Sequence, residues 1–311
     1  MTALVYAVIY ASVLLFIAAC AVRTIRYARL PVHLRWELYP VPHEEAERAK
    51  HGGSYFESVD WWTKPSHFNL AGEMKVMIPE MLFLKALREF NPKLWRRSFL
   101  FHFGLYLLAG TIALVLAAAL GAMFAPDPMA GFVGSALRIL YTATGACGAA
   151  MAIAGAAGLL HRRLTDPDLK NYTAPGDIFN LAFFIAALGS IAAGYLLRGP
   201  HAPGLRALTQ GLLTFNTGMD VPAVLAAGLV LGALLVAYIP LTHMSHFIAK
   251  YFTYHSIRWD DMPSAKSAAL RRKIAEYLTL RPTWGARHIG ADGVKTWAEI
   301  AAANPSVGAK K

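Results

Sequence analysis

Apolar residues gather in five long stretches, near positions 4–22, 98–125, 136–160, 176–197 and 222–249, and polar residues gather between them. A hydrocarbon core of about 30 Å is crossed by roughly 20 helical residues, so each stretch predicts one membrane-spanning helix. The pattern predicts an all-α integral membrane protein, a bundle of five transmembrane helices. Four regions follow: a first span over 1–22, a polar loop over 23–97, four spans over 98–250 and a polar tail over 251–311. No basic region precedes the first stretch, and Cys20 to Arg23 offers no small-x-small cleavage site. It is therefore expected to stay as an anchor rather than to be removed as a signal peptide.

The loop has a hydrophobic rhythm of its own. In MKVMIPEMLFLKALREF, Met77, Met81, Leu84 and Leu87 recur at helical spacing with Lys85, Arg88 and Glu89 between them. This predicts an amphipathic helix on the inner membrane surface, either an interfacial connector into the second span or a docking surface for a partner. The third and fourth spans are rich in Ala and Gly (GACGAAMAIAGAAGLL, AALGSIAAGYLL). Small residues let helices approach closely in lipid, where packing holds a bundle together. No segment of about 20 to 50 residues repeats, which argues against the internal symmetry of transporters.

Composition agrees with the pattern. Of 311 residues, 56% are hydrophobic and only 16% charged, and the mean hydropathy is +0.40. The formal net charge of +11 raises nucleic acid as a partner, so the placement of the charges decides. Of 30 Lys and Arg, 27 lie in 23–97, 162–170 and 250–311, and only Arg138, Arg198 and Arg206 lie on the other side. By the positive-inside rule the N-terminus is outside and the C-terminus cytoplasmic. The charge is thus topological, and no nucleic-acid partner is expected. The two cysteines, Cys20 and Cys147, sit in apolar segments without a partner at ligand spacing, so neither an iron-sulfur cluster nor a covalently attached haem can be built.

Histidine inside a span is costly unless paired, which makes such residues functional candidates. Of eleven histidines, His33, His43, His51 and His67 fall in the first loop, His161 ends the third span, His201 lies in an outer loop, and His255 and His288 lie in the tail. His102, His243 and His246 remain. His102 follows Arg97 by five residues, which puts it about 8 Å inside the boundary. His246 precedes Lys250 by four residues on the last span, which runs the opposite way, so it reaches a similar depth; His243 is about a turn deeper. Two histidines at matching depth on different helices suit the iron of a b-type haem. The simpler readings are an interfacial hydrogen bond for His102 and an inter-helix bond or quinone contact for the other two. Asp177, just after Pro175 and Gly176 at the start of the fourth span, reads as an N-cap. The WELYPVPHEE cluster and the pair Trp61 and Trp62 read either as a docking surface or as interfacial aromatics.

Three separated motifs, FHFGLYLLAG, the His161 to Ile178 stretch (HRRL, then Pro167, Thr173, Gly176 and Asp177) and IPLTHMSH, resemble the gamma subunit of respiratory nitrate reductase, a five-helix cytochrome b family. Within that family, LRWELYPVPHEE and ARHIGADGVKTWAEI look more like the relatives found in sulfate reducers and syntrophs, the membrane cytochromes of Dsr-, Tmc- and heterodisulfide-reductase-type complexes. The resemblance implies haem b ligated by His102 and His246, with His243 as second choice or as a propionate or quinone partner. It also implies a cytoplasmic iron-sulfur, heterodisulfide-reductase-like partner, further membrane subunits, menaquinone or another quinone as substrate, and a bacterial or archaeal cytoplasmic membrane.

The departure from the family matters more. The family's outer haem takes its ligands from positions that hold Ile112 and Gly228 here, so one haem is expected, near the cytoplasmic face. Most of the hydrocarbon thickness then lacks a carrier, and quinone is expected to react near the inner haem. Arg138 falls within about one residue of the lysine beside the family's quinol site; it is a candidate quinone contact, with topological charge or lipid headgroup binding as the simpler role. The expected function is a membrane cytochrome b subunit carrying electrons between the quinone pool and the iron-sulfur partner. The alternatives are a haem-free anchor for a soluble redox enzyme and, against the scarcity of intramembrane charge, a small transporter or channel.

Overall fold

Asn91 and Pro92 start the longest run of spans: the Asn91 side chain accepts from the Leu94 N–H at 3.0 Å, and Pro92 stands where a helix needs no donor. This computed structural model describes residues 1–29, 59–60, 63, 70–253, 268–283 and 290–303. The described helices are α1 (Thr2–Arg29), α2 (Leu70–Phe83), α3 (Lys85–Phe90), α4 (Pro92–Phe124), α5 (Pro126–Ala130), α6 (Phe132–Thr165), α7 (Pro167–Lys170), α8 (Pro175–Leu197), α9 (Leu205–Leu213), α10 (Ala223–Tyr238), α11 (His246–Thr253), α12 (Ala268–Leu278) and α13 (Trp297–Ala302). Among the described residues there is no strand. Among the described residues five helices are long and apolar enough to cross a membrane: α1, α4, α6, α8, and α10 with the turn that extends it to Leu241.

The described residues form two compact units, Met1–Cys20 with Met77–Ser245, and Ala21–Val76 with His246–Lys311. In the first, α4 packs on α6, α6 on α8 and α8 on α10, while α9 lies against α4. Small residues make these contacts close. Gly148 meets the Gly104 carbonyl, so that a Cβ there would stand 3.0 Å from that oxygen, and Ala152, Ala156 and Ala187 are fully buried. Phe101 and Phe184 close the core edge-to-face at 4.9 Å. The start of α1 is tied to the loop after α9: the Thr2 hydroxyl donates to the Met219 carbonyl at 2.6 Å, and Val5 joins a cluster with Leu208, Val221 and Leu225.

In the second unit the Tyr27 and Phe252 rings meet at 5.9 Å, and Tyr277 stacks on Trp297 with an interplanar angle of 9°. The Thr296 side chain accepts from the Glu299 N–H while the Glu299 carboxylate accepts from Thr296, a reciprocal cap that starts α13.

Two expected elements come out differently. The single amphipathic helix through Leu84 and Leu87 is split, because Leu84 adopts a left-handed conformation (φ 52°) between α2 and α3. Side chains hold the break: Glu80 accepts from the Ala86 N–H at 2.9 Å, and the Trp95 indole donates to the Phe83 carbonyl at 2.7 Å. The fifth span, expected over 222–249, leaves the α-helix at Tyr238 and passes into 3-10 turns over Ile239–Leu241 and His243–Ser245. Pro240 has no N–H for the carbonyl four residues back, and Thr242 is extended (ψ −176°). A constant rise per residue therefore does not give the relative depth of His243 and His246.

Candidate functional site

His102 lies half-buried on α4. Its Nδ1 is 2.7 Å from the Ser98 carbonyl oxygen one turn back and 3.3 Å from the Ser98 hydroxyl. A carbonyl only accepts, so Nδ1 carries the proton and the lone pair is on Nε2. An imidazole anchored through one nitrogen and basic at the other is prepared to ligate a metal. The ring lies edge-on to Phe101, centroids 5.4 Å apart, and Trp95, Phe99 and Phe103 stack along the same helix at 5.0 and 5.3 Å. These residues fit a haem: one anchored imidazole amid flat apolar surface.

His243 belongs to a different constellation. Its Nε2 is 3.5 Å from the Asn180 side-chain nitrogen and 3.8 Å from Asp177 Oδ1, and its side chain is 68% exposed. Asn180 is buried on α8, and its orientation is fixed because the Tyr238 hydroxyl donates to its Oδ1 at 2.9 Å. The amide nitrogen is thus the group turned to His243. Asp177 is the third residue of α8, not its cap: Oδ2 accepts from the Ala174 N–H at 3.0 Å and from Arg163 of α6 at 3.2 Å. The capping role expected of this carboxylate is filled from inside the helix, because Ala174 at the cap has no side-chain oxygen. The same carboxylate also joins α6 to α8 and faces His243.

His246 opens α11, in the second unit, and is exposed. Ile112 is 67% exposed on α4 and cannot bind iron. At Gly228 a Cβ would stand 2.7 Å from the Ser190 carbonyl oxygen and 2.8 Å from the Ile191 nitrogen, so the close contact of α10 with α8 fills the space a ligating side chain would need. Neither of the two positions that the resemblance assigns to an outer haem carries a ligating side chain. Arg138 is exposed on α6 and lines a cavity at the end of the helix away from His161. Among the described residues no group of three or more His, Cys, Asp or Glu could hold a metal ion by itself; haem iron asks the protein for only two axial ligands. His33, His43, His51, His67, His255, His288, the WELYPVPHEE cluster, Trp61 and Trp62 lie outside the described residues.

Sequence reasoning missed Asn180, Tyr238 and Arg163. For Asn180 a signal was available, a lone amide within an apolar span. Its pairing with Tyr238 depends on how α8 and α10 are set against each other, which no local pattern carries.

Residues 90–260 match the family described as nitrate reductase gamma subunit. No curated protein and no solved structure matches the chain.

Proposed function

Since this chain belongs to the nitrate reductase gamma subunit family, whose members are membrane cytochrome b electron-transfer subunits, we propose that it carries one b-type haem and exchanges electrons between a quinone pool, menaquinone in the first instance, and a cytoplasmic iron-sulfur subunit. The observation that carries this reading is the anchored tautomer of His102, with Nδ1 on the Ser98 carbonyl and the lone pair on Nε2. His102 and, by the family pattern, His246 would hold the haem, since His243 has Nε2 turned to Asn180 and Asp177. Bound there, haem b supplies a one-electron carrier.

The chain's own residues do the rest. Asp177, held by Arg163, and Asn180, held by Tyr238, position His243 to exchange protons with a quinone at its exposed edge. Basic residues flanking the spans support an N-terminus outside and a cytoplasmic C-terminus; a bacterial or archaeal cytoplasmic membrane is what the resemblance implies. The polar loop and tail are the surfaces for the iron-sulfur subunit and for other membrane subunits, as the resemblance to sulfate-reducer cytochromes implies.

A second reading, a haem-free anchor for a soluble redox enzyme, is favoured by one observation, the closure of the outer ligand position at Gly228. Haem b per polypeptide, measured as the pyridine haemochromogen together with reduction by a menaquinol analogue, separates the two. One haem with quinol-dependent reduction supports the cytochrome. Two would mean an outer ligand pair exists after all, and none would leave the anchor.

A further inference from the structure

The last turn of α2 is held by two side chains of α4. The Tyr106 hydroxyl donates to the Met81 carbonyl at 2.7 Å, and the Trp95 indole donates to the Phe83 carbonyl at 2.7 Å. Trp95, His102 and Tyr106 follow one another at intervals of seven and four residues, which keeps them within about 40° of one face of α4. The end of α2 is therefore fastened on either side of His102, along the face that carries it. Trp95 precedes Arg97, and a tryptophan at a membrane boundary is ordinary. Tyr106 is not at that boundary: it lies nine residues past Arg97, about 14 Å into the span, where a hydroxyl needs a partner within the protein.

The carbonyls tell where α2 ends. The last carbonyls of a helix have no partner within it; water satisfies them at a surface, whereas in hydrocarbon they must bond to protein. Met81 and Phe83 both take their donors from a membrane-spanning helix. Leu84, at φ 52°, then turns the chain, and Glu80 accepts from the Ala86 N–H, covering a bare donor at the start of α3. α3 runs six residues, about 9 Å, to Asn91, which opens α4. Arg88 lies over the Trp95 ring at 5.3 Å, which returns positive charge to the boundary. Met81, Leu82 and Phe83 stay 46%, 41% and 48% exposed, so the tip keeps apolar surface open beside the His102 face.

We propose that the end of α2 and α3 form a re-entrant segment, which dips into the membrane to the level of His102 and shields the haem from water, with Tyr106 as its positioning residue. The insertion stands on the hydrogen bonds; the shielding rests on the haem reading above. Thiol labelling of the full chain in nanodiscs tests the insertion, in Cys20→Ser/Cys147→Ser carrying either Leu82→Cys or Phe90→Cys. A charged, membrane-impermeant maleimide labels position 90, where Phe90 is 87% exposed at the end of α3, and labels position 82 many-fold more slowly. Equal rates overturn the insertion, with or without haem. Tyr106→Phe keeps the ring and removes only the hydroxyl. Added to Leu82→Cys, it speeds labelling several-fold, and in the otherwise wild-type chain it lowers the haem b midpoint potential, because water that reaches the haem stabilises the oxidised, more positive iron. Faster labelling with an unchanged potential overturns the shielding, and unchanged labelling overturns Tyr106 as the residue that holds the segment. A chain that binds no haem yet protects position 82 fails the cytochrome reading while the insertion stands.

Discussion

Gly228 on α10 meets Ser190 on α8 backbone to backbone, a Cβ at 228 standing 2.7 Å from the Ser190 carbonyl oxygen. The position that the resemblance assigns to an outer haem ligand is used here for helix packing. Gly228→Ala must push the helices apart and is expected to cost about 1–3 kcal/mol, as overpacking of a close contact does, read as a lower midpoint of thermal unfolding in detergent. Gly228→His adds an imidazole but no second haem; a haem ratio that rises in this variant would show that the outer cavity can still form.

His102 and His243 separate ligation from proton exchange. His102→Ala is expected to abolish the haem b bands of the reduced-minus-oxidised spectrum. His243→Ala should keep them and slow reduction by a menaquinol analogue. Total loss of haem in the second variant would make His243 the axial ligand in place of His246.

The five spans were legible because burial in lipid requires apolarity along the whole helix, and hydropathy reads that directly. Their ends were less so. α4 begins at Pro92, six residues before the expected boundary, because Arg96 and Arg97 lie in its first turns and lower the hydropathy without breaking the helix. α10 ends at Tyr238 although the chain stays apolar well beyond it, since apolarity carries no record of an extended Thr242. Leu84 is the same lesson in reverse: nothing in a leucine announces a positive φ, and only Glu80 and Trp95 reaching across the break make it tenable. At the site, the Ser98 anchor of His102 is local and could be read from the spacing. The Tyr238 to Asn180 bond joins residues 58 apart and could not.

The acid response of the C-terminal segment follows from two carboxylates. Backbone N–H groups of Val294 and Lys295 hold Asp292 below the usual carboxylate range, and the backbone N–H and hydroxyl of Thr296 do the same for Glu299. A depressed folded-state value contributes stability that is fully present above the unfolded value, roughly pH 4, and is lost as pH falls through the folded one. Hydrogen exchange at 292–302, corrected for its intrinsic rate, should therefore accelerate below about pH 4 while the membrane helices stay protected. Glu299→Gln should remove part of that acid step. Exchange at 292–302 with no pH dependence would show that neither carboxylate holds the turn.

Asp177 couples helix packing to the proton-exchanging histidine. Its pair with Arg163 is partly exposed, with side chains 18% and 34% accessible, so Asp177→Asn should cost only about 1 kcal/mol of stability. Function should suffer more, because Oδ1 is the carboxylate oxygen 3.8 Å from His243 Nε2. With that oxygen's charge gone, His243 loses its positioning partner, and menaquinol-dependent haem reduction should slow with haem content unchanged. Residues that act as a unit are non-additive, so Asp177→Asn combined with His243→Ala should be no slower than His243→Ala alone. If the two effects multiply instead, Asp177 acts only through the Arg163 pair and the start of α8, and His243 exchanges protons without it.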